Sequence, residues 1–202
     1  MPLTVDELNS GISYWRTTRW PQDFHNAFYQ QMVAANPNGN FTATWWSGFL
    51  PILSGWKALR PKSQAFVTGR AVSRFSQLSQ DWTGVIVPVL QSDIATVSWS
   101  QVSAFPATVA QIKNVTSPVF TSKFCHFLAP HIFPVIDNAA MGNPFSTYQA
   151  YYSCAQSQWI ATHPSVQADL VGILTHAIGT NPILSYPMKC KIIELCLIGR
   201  HQ

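Results

Sequence analysis

This 202-residue chain has few carboxylates, eight Asp and Glu against 12 Lys and Arg. Charged residues total 10%, where about 25% is usual. A carboxylate cage around two metal ions is therefore hard to build. The four cysteines, Cys125, Cys154, Cys190 and Cys196, include no CxxC pair. That argues against a zinc site and for free thiols in a reducing cytoplasm. The opening MPLTVDELNSG has neither a basic stretch nor an apolar stretch of the secretory kind. The long uncharged segment from Ile94 to Ile112 carries too many Ser, Thr and Gln side chains to cross a bilayer. The expectation is a cytoplasmic protein with no membrane association. GxGxxG, Walker, HExxH and GxSxG patterns are all missing, so nucleotide-binding, zinc-protease and α/β-hydrolase readings lose their usual support. No cofactor is expected.

What is present describes a folded chain. Hydrophobic residues make up 47%, whereas a disordered chain needs low hydrophobicity and high charge. The length suits one domain over residues 1–202. The net charge of +4 and pI near 9.0 suit a polyanionic partner without demanding one.

Apolar spacing and punctuation predict a mainly α fold with eight or more helices and little or no sheet. Leu8, Ile12 and Trp15 mark a first helix ending before Trp20-Pro21, and Asp23 caps a second. Thr44 opens a third through Trp45, Trp46, Phe49, Leu53 and Trp56, bent or broken at Pro51. Ser63 begins a fourth that continues through Phe75 and Leu78. Residues 82–90 read as a strand or buried loop, and Ser92 or Asp93 as the start of another helix. Pro106 starts a short helix, and Ser117-Pro118 starts one reaching about Leu128. Three more cover Thr147–Ile160, Pro164–Ile178 and Pro187–Leu197, with Gly179 as a stop.

Chemistry concentrates in residues 115–142, VTSPVFTSKFCHFLAPHIFPVIDNAAMG. This stretch holds one lysine, Lys123, and one acid, Asp137. Lys123 falls in the first half of a helix among Phe120, Phe124 and Phe127, where desolvation disfavours the ammonium and prepares a nucleophile. Asp137 follows an apolar run and precedes Asn138-Ala139-Ala140-Met141, so it reads as a helix cap able to stabilise a developing cation or to activate water. His126 and His131 flank the segment. Trp45-Trp46 offers aromatic faces for stacking, although adjacent helical positions point about 100° apart. Arg70 and Arg74 share a helix face at i, i+4, near Lys57, Arg60 and Lys62 in sequence.

Thr121-Ser122-Lys123 and the later Phe133-Pro134-Val135-Ile136-Asp137 together resemble the helix-hairpin-helix DNA glycosylase superfamily, with its 8-oxoguanine and endonuclease III branches. There a lysine early in one helix precedes a proline-containing turn that delivers a catalytic aspartate. The resemblance covers roughly 28 residues. At the hairpin position stands Val115-Thr116-Ser117-Pro118-Val119-Phe120, without the family's glycines, and the spacing from Lys123 to Asp137 is shorter than the family's. The resemblance implies a glycosylase-like helix–hairpin–helix core and a duplex DNA partner. The implied activity is hydrolysis of the N-glycosidic bond of a damaged or modified base, in repair or in defence against phage DNA. It gives Asp137 and Lys123 the catalytic roles, with Lys123 either attacking C1′, which permits lyase activity, or acting electrostatically. Trp45, Trp46, His126 and Phe133 are then expected at the base, and Arg70, Arg74, Lys113, Thr116, Ser117 and Thr121 at the DNA. The alternative is a non-enzymatic helical module that binds a protein through a Trp-rich surface.

Overall fold

The computed structural model describes residues 1–18, 26–34, 38–113 and 117–202. Among them there is no strand, and eleven α-helices form the fold. The helices are α1 Val5–Thr17, α2 Asn26–Ala34, α3 Ala43–Gly55, α4 Gln64–Val72, α5 Phe75–Asp81, α6 Trp99–Val102, α7 Ala104–Lys113, α8 Pro118–Leu128, α9 Tyr148–Ala161, α10 Pro164–Ile178 and α11 Met188–Gly199.

Capping chemistry sets many of the boundaries. Thr4 and Glu7 form a reciprocal capping box at α1, satisfying two amides that the first turn leaves unpaired. Ser63 caps α4 and Thr147 caps α9 through their hydroxyls. Pro118 and Pro164 occupy first-turn positions, where a missing N–H costs nothing. Gly179 ends α10 in the left-handed conformation at φ 77°, which a side chain would disfavour.

Several boundaries differ from expectation; α7, for one, begins at Ala104, two residues before Pro106. Thr42, not Thr44, caps α3 by accepting from the Trp45 amide, and the helix continues past Pro51. The expected fourth helix is two: α4 ends at Val72, and Arg74, at φ −113°, precedes α5. Residues 82–90 are neither strand nor loop for most of their length. A wide π turn (82–86) and a 3-10 turn (87–89) prolong α5, and Pro88, lacking an N–H, sits in the first turn of that 3-10 element. Asp93 shapes a turn through the Ala95 amide, while Ser98 opens α6. The expected Asp23 cap, the Trp20-Pro21 stop and part of the stop at Asn36-Pro37-Asn38-Gly39 lie outside the described residues.

The hub is α11, in which every residue from Cys190 to Ile198 is buried, Lys191 and Glu194 among them; a helix buried around its whole circumference belongs at the centre of a protein. It lies antiparallel to α1 at very short range. A Cβ on Gly11 would fall 2.0 Å from the Leu195 carbonyl oxygen, and one on Gly199 would fall 1.9 Å from that of Glu7. No residue but glycine fits either position. The crossing is fastened by the Arg200–Glu7 ion pair at 2.5 Å. Helices α7 and α8 pack together, and α8 carries Lys123.

Candidate active site

Asp137 is placed by a segment that has no secondary structure of its own. From Phe133 to Ile136 the chain is buried and irregular, with Pro134 in its middle. Buried backbone without a ladder must find partners among side chains, and here it does. The Phe133 carbonyl accepts from His126 Nδ1 at 2.6 Å, and the Pro134 carbonyl from the Tyr148 hydroxyl at 3.0 Å. The Val135 carbonyl accepts from the Tyr151 hydroxyl at 2.5 Å, and the Ile136 amide donates to Ser122 Oγ at 3.1 Å. The segment is thereby tied to α8 and α9. It ends at the half-buried Asp137, whose carboxylate accepts from the Ala140 amide at 3.2 Å. Residues 138–142 form a turn and not the expected helix; Gly142 at φ 72° and Asn143 at φ 56° reverse the chain at once.

Lys123 approaches from the second turn of α8. Its Nζ donates to the Trp56 carbonyl at 2.9 Å and lies 5.8 Å from the Trp56 ring centroid. The amine thus meets the carbonyl end of α3, where a cation is favoured.

Lys123 and Asp137 line one pocket of about 200 Å³, together with Trp15, Trp56, Lys57, Arg60, Val135 and Glu194. Glu194 forms a buried ion pair with Lys191, one turn earlier on α11. The indole Nε1 of Trp15 is buried without a hydrogen-bond partner, a state that costs about 1–3 kcal/mol. Sequence reasoning missed Trp15, Trp56 and Glu194 here. Their positions are 41 and 138 residues apart along the chain, so only the packing of α1, α3 and α11 brings them together.

The remaining expected site residues lie elsewhere. His126 is fully buried: Nδ1 donates to the Phe133 carbonyl, which leaves Nε2 to accept from the Tyr29 hydroxyl at 2.8 Å. Burial, aided by the nearby Lys191, holds its pKa well below the ordinary value, so the ring is a neutral structural clamp and not a ligand for a base. Phe133 is packed in the core against Phe105, Tyr148 and Tyr152. Trp46 is buried with its indole donating to Thr68, and Trp45 is half-buried and stacked on Phe49. Trp15, Trp56, Trp82 and Trp159 are also buried. The Trp-rich surface expected of a protein-binding module does not form among the described residues, because these rings build the core.

Among the expected DNA contacts, Arg70 is exposed and donates to the Gln111 carbonyl through Nε and Nη2. Arg74 is half-buried and, since the helix breaks before it, shares no helix face with Arg70. Lys113 is buried, donating to the Ala58 carbonyl at 2.8 Å. Ser117 is half-buried and accepts from Lys113, while Thr121 is buried and bonds back to the Ser117 carbonyl. Thr116 lies outside the described residues, as does most of the connection between α7 and α8.

A larger hollow of about 530 Å³ lies between α2, the end of α8 and the 183–185 loop. Its described lining includes no Lys, Arg, Asp or Glu, and its one histidine, His131, is held below its ordinary pKa by burial. It offers shape but little chemistry, which is why the smaller pocket is the candidate. Among the described residues no three His, Cys, Asp or Glu side chains gather into a group able to hold a metal. No helix there is long and apolar enough to cross a membrane. No protein-family model, curated protein or solved structure matches this chain.

Proposed function

We propose that this chain is a DNA glycosylase that hydrolyses the N-glycosidic bond of a modified base flipped from duplex DNA, in repair or in defence against foreign DNA. The observation that carries the reading is that Lys123 and Asp137, the two groups carried by the family resemblance, line a single pocket edged by Trp15 and Trp56. A flipped base needs a walled pocket, and the walls here include Trp15 and Trp56, each only 7% exposed.

In this reading the bond from C1′ to the base nitrogen breaks with its electrons leaving on the base. Asp137 stabilises the positive charge that develops on the sugar and takes a proton from the water whose oxygen bonds to C1′. Lys123 stabilises the negative charge growing on the departing base. Its hydrogen bond to the Trp56 carbonyl favours this electrostatic role over attack on C1′. Helix α3 and the indole of Trp56 hold the amine in place, so it need not reorganise during the reaction.

The test is incubation with duplexes carrying assorted modified bases, followed by alkaline cleavage at abasic sites. At least one base is released by the wild-type protein, and Asp137→Asn, which keeps the cap geometry, abolishes that release. Full activity in Asp137→Asn removes the assignment.

A further inference from the structure

We propose that Lys57, Arg60, Lys62 and Arg70 form a phosphate-binding strip that holds the backbone of duplex DNA across the mouth of the Asp137–Lys123 pocket. The proposal rests on the glycosylase reading and names the surface that supplies its grip on DNA, which a hairpin without glycines leaves unassigned.

Three observations carry it. The first is position. Lys57 and Arg60 are exposed yet line the same pocket as Asp137 and Lys123. From there the strip continues to Lys62, whose Nζ lies 5.1 Å from the Phe66 ring, and to Arg70, whose guanidinium lies 5.7 Å from the same ring. Phe66 is 42% exposed between them, so cations flank an aromatic surface, a pattern that suits nucleic acid. The second is rigidity. Two lysines hold the loop that carries Lys57 and Arg60: Lys123 bonds the Trp56 carbonyl and Lys113 the Ala58 carbonyl. Lys57 stands at φ 53°, and the Lys62 amide closes a turn on the Leu59 carbonyl. A loop fixed in this way presents its cations without a large ordering cost.

The third is charge. Asp93, Glu7 and Glu194 are paired with Lys189, Arg200 and Lys191 respectively, and Asp81 accepts from Thr108 and Gln77. These carboxylates are committed to other partners; of the described acids, Asp137 and Glu194 line the pocket that Lys57 and Arg60 share. Burial lowers the Lys113 pKa, with Lys123 and Lys62 repelling it further. Phosphates relieve such repulsion. Arg70 uses two of its donors on Gln111, and a guanidinium has five.

The experiment measures binding of the full chain to an undamaged 20-base-pair duplex by fluorescence anisotropy at several salt concentrations. Four phosphate contacts give a slope of log K against log salt of about −3.6. Arg60→Gln/Lys62→Gln makes the slope shallower by about 1.8, and the charge-preserving Arg60→Lys/Lys62→Arg restores it. Lys189→Gln, which removes a cation already held by Asp93, leaves it unchanged. An unchanged slope in the Gln pair overturns the proposal, as does equal affinity for poly-glutamate. Base release with an unaltered slope keeps the glycosylase reading and sinks the strip, while charge-dependent DNA binding without release of any base does the reverse.

Discussion

Ser122 Oγ accepts the amide of Ile136 at 3.1 Å, and each of these residues immediately precedes one of the two central site residues, Lys123 and Asp137. Together with the bond from His126 to the Phe133 carbonyl, it sets the register between α8 and this segment. Ser122→Ala leaves a buried amide without a partner, at a cost of about 1–3 kcal/mol. For a chain of this size each kcal/mol lowers Tm by about 2–4 °C. The variant is expected to lose more activity than stability, because Asp137 is no longer held to its place. Thermal melts and excision rates measured together check this; a variant with lowered Tm and wild-type rate would dissociate the hydrogen bond from the site.

Lys123→Ala removes both the pocket amine and the donor to the Trp56 carbonyl. Losing one preorganised electrostatic group typically slows a reaction about 10²–10³-fold. Single-turnover excision should fall by that order, and borohydride should trap no covalent protein–DNA adduct with the wild type. A trapped adduct that disappears in Lys123→Ala would assign the nucleophilic role instead.

His126 makes stability depend on pH. Its pKa is depressed in the fold, so the unfolded chain binds the proton more readily. Stability is complete above the ordinary histidine value near 6.5 and is lost as pH falls below it. The slope approaches about 1.4 kcal/mol per pH unit for one such group, and His131, also depressed, adds to it. Urea midpoints between pH 7.5 and 5 should fall in the wild type and fall less steeply in His126→Gln.

Gly11→Ala puts a methyl group 2.0 Å from the Leu195 carbonyl oxygen, which neither backbone can avoid without moving α1 off α11. Overpacking of this kind costs about 1–3 kcal/mol or more. Gly172→Ala in α10 meets nothing within 4 Å and gains up to about 1 kcal/mol of helix propensity. Denaturant midpoints for the two variants should move in opposite directions.

The helices were legible because caps and prolines are local signals: Pro164 and Gly179 bound α10 as read from the sequence. The failures arose where distant groups decide. Trp45-Trp46 looks like a stacking surface in isolation, yet Phe49 and Thr68 claim the two rings. His126 has the sequence context of an acid or base, but Tyr29, 97 residues away, and the Phe133 carbonyl occupy both nitrogens. Lys123 and Asp137 were found because they are the only lysine and acid in residues 115–142. The floor and walls of their pocket come from α1, α3 and α11, and no local pattern announces them.

The crossing of α1 and α11 also bears on how the chain is made. Glu7 and Arg200, joined across it, are 193 residues apart, so the apolar face of α1 leaves the ribosome long before its partner exists. Native closure must wait for the last helix to emerge. Until then Leu8, Ile12 and Trp15 lack the helix that covers them, and transiently exposed apolar surface of this kind invites aggregation.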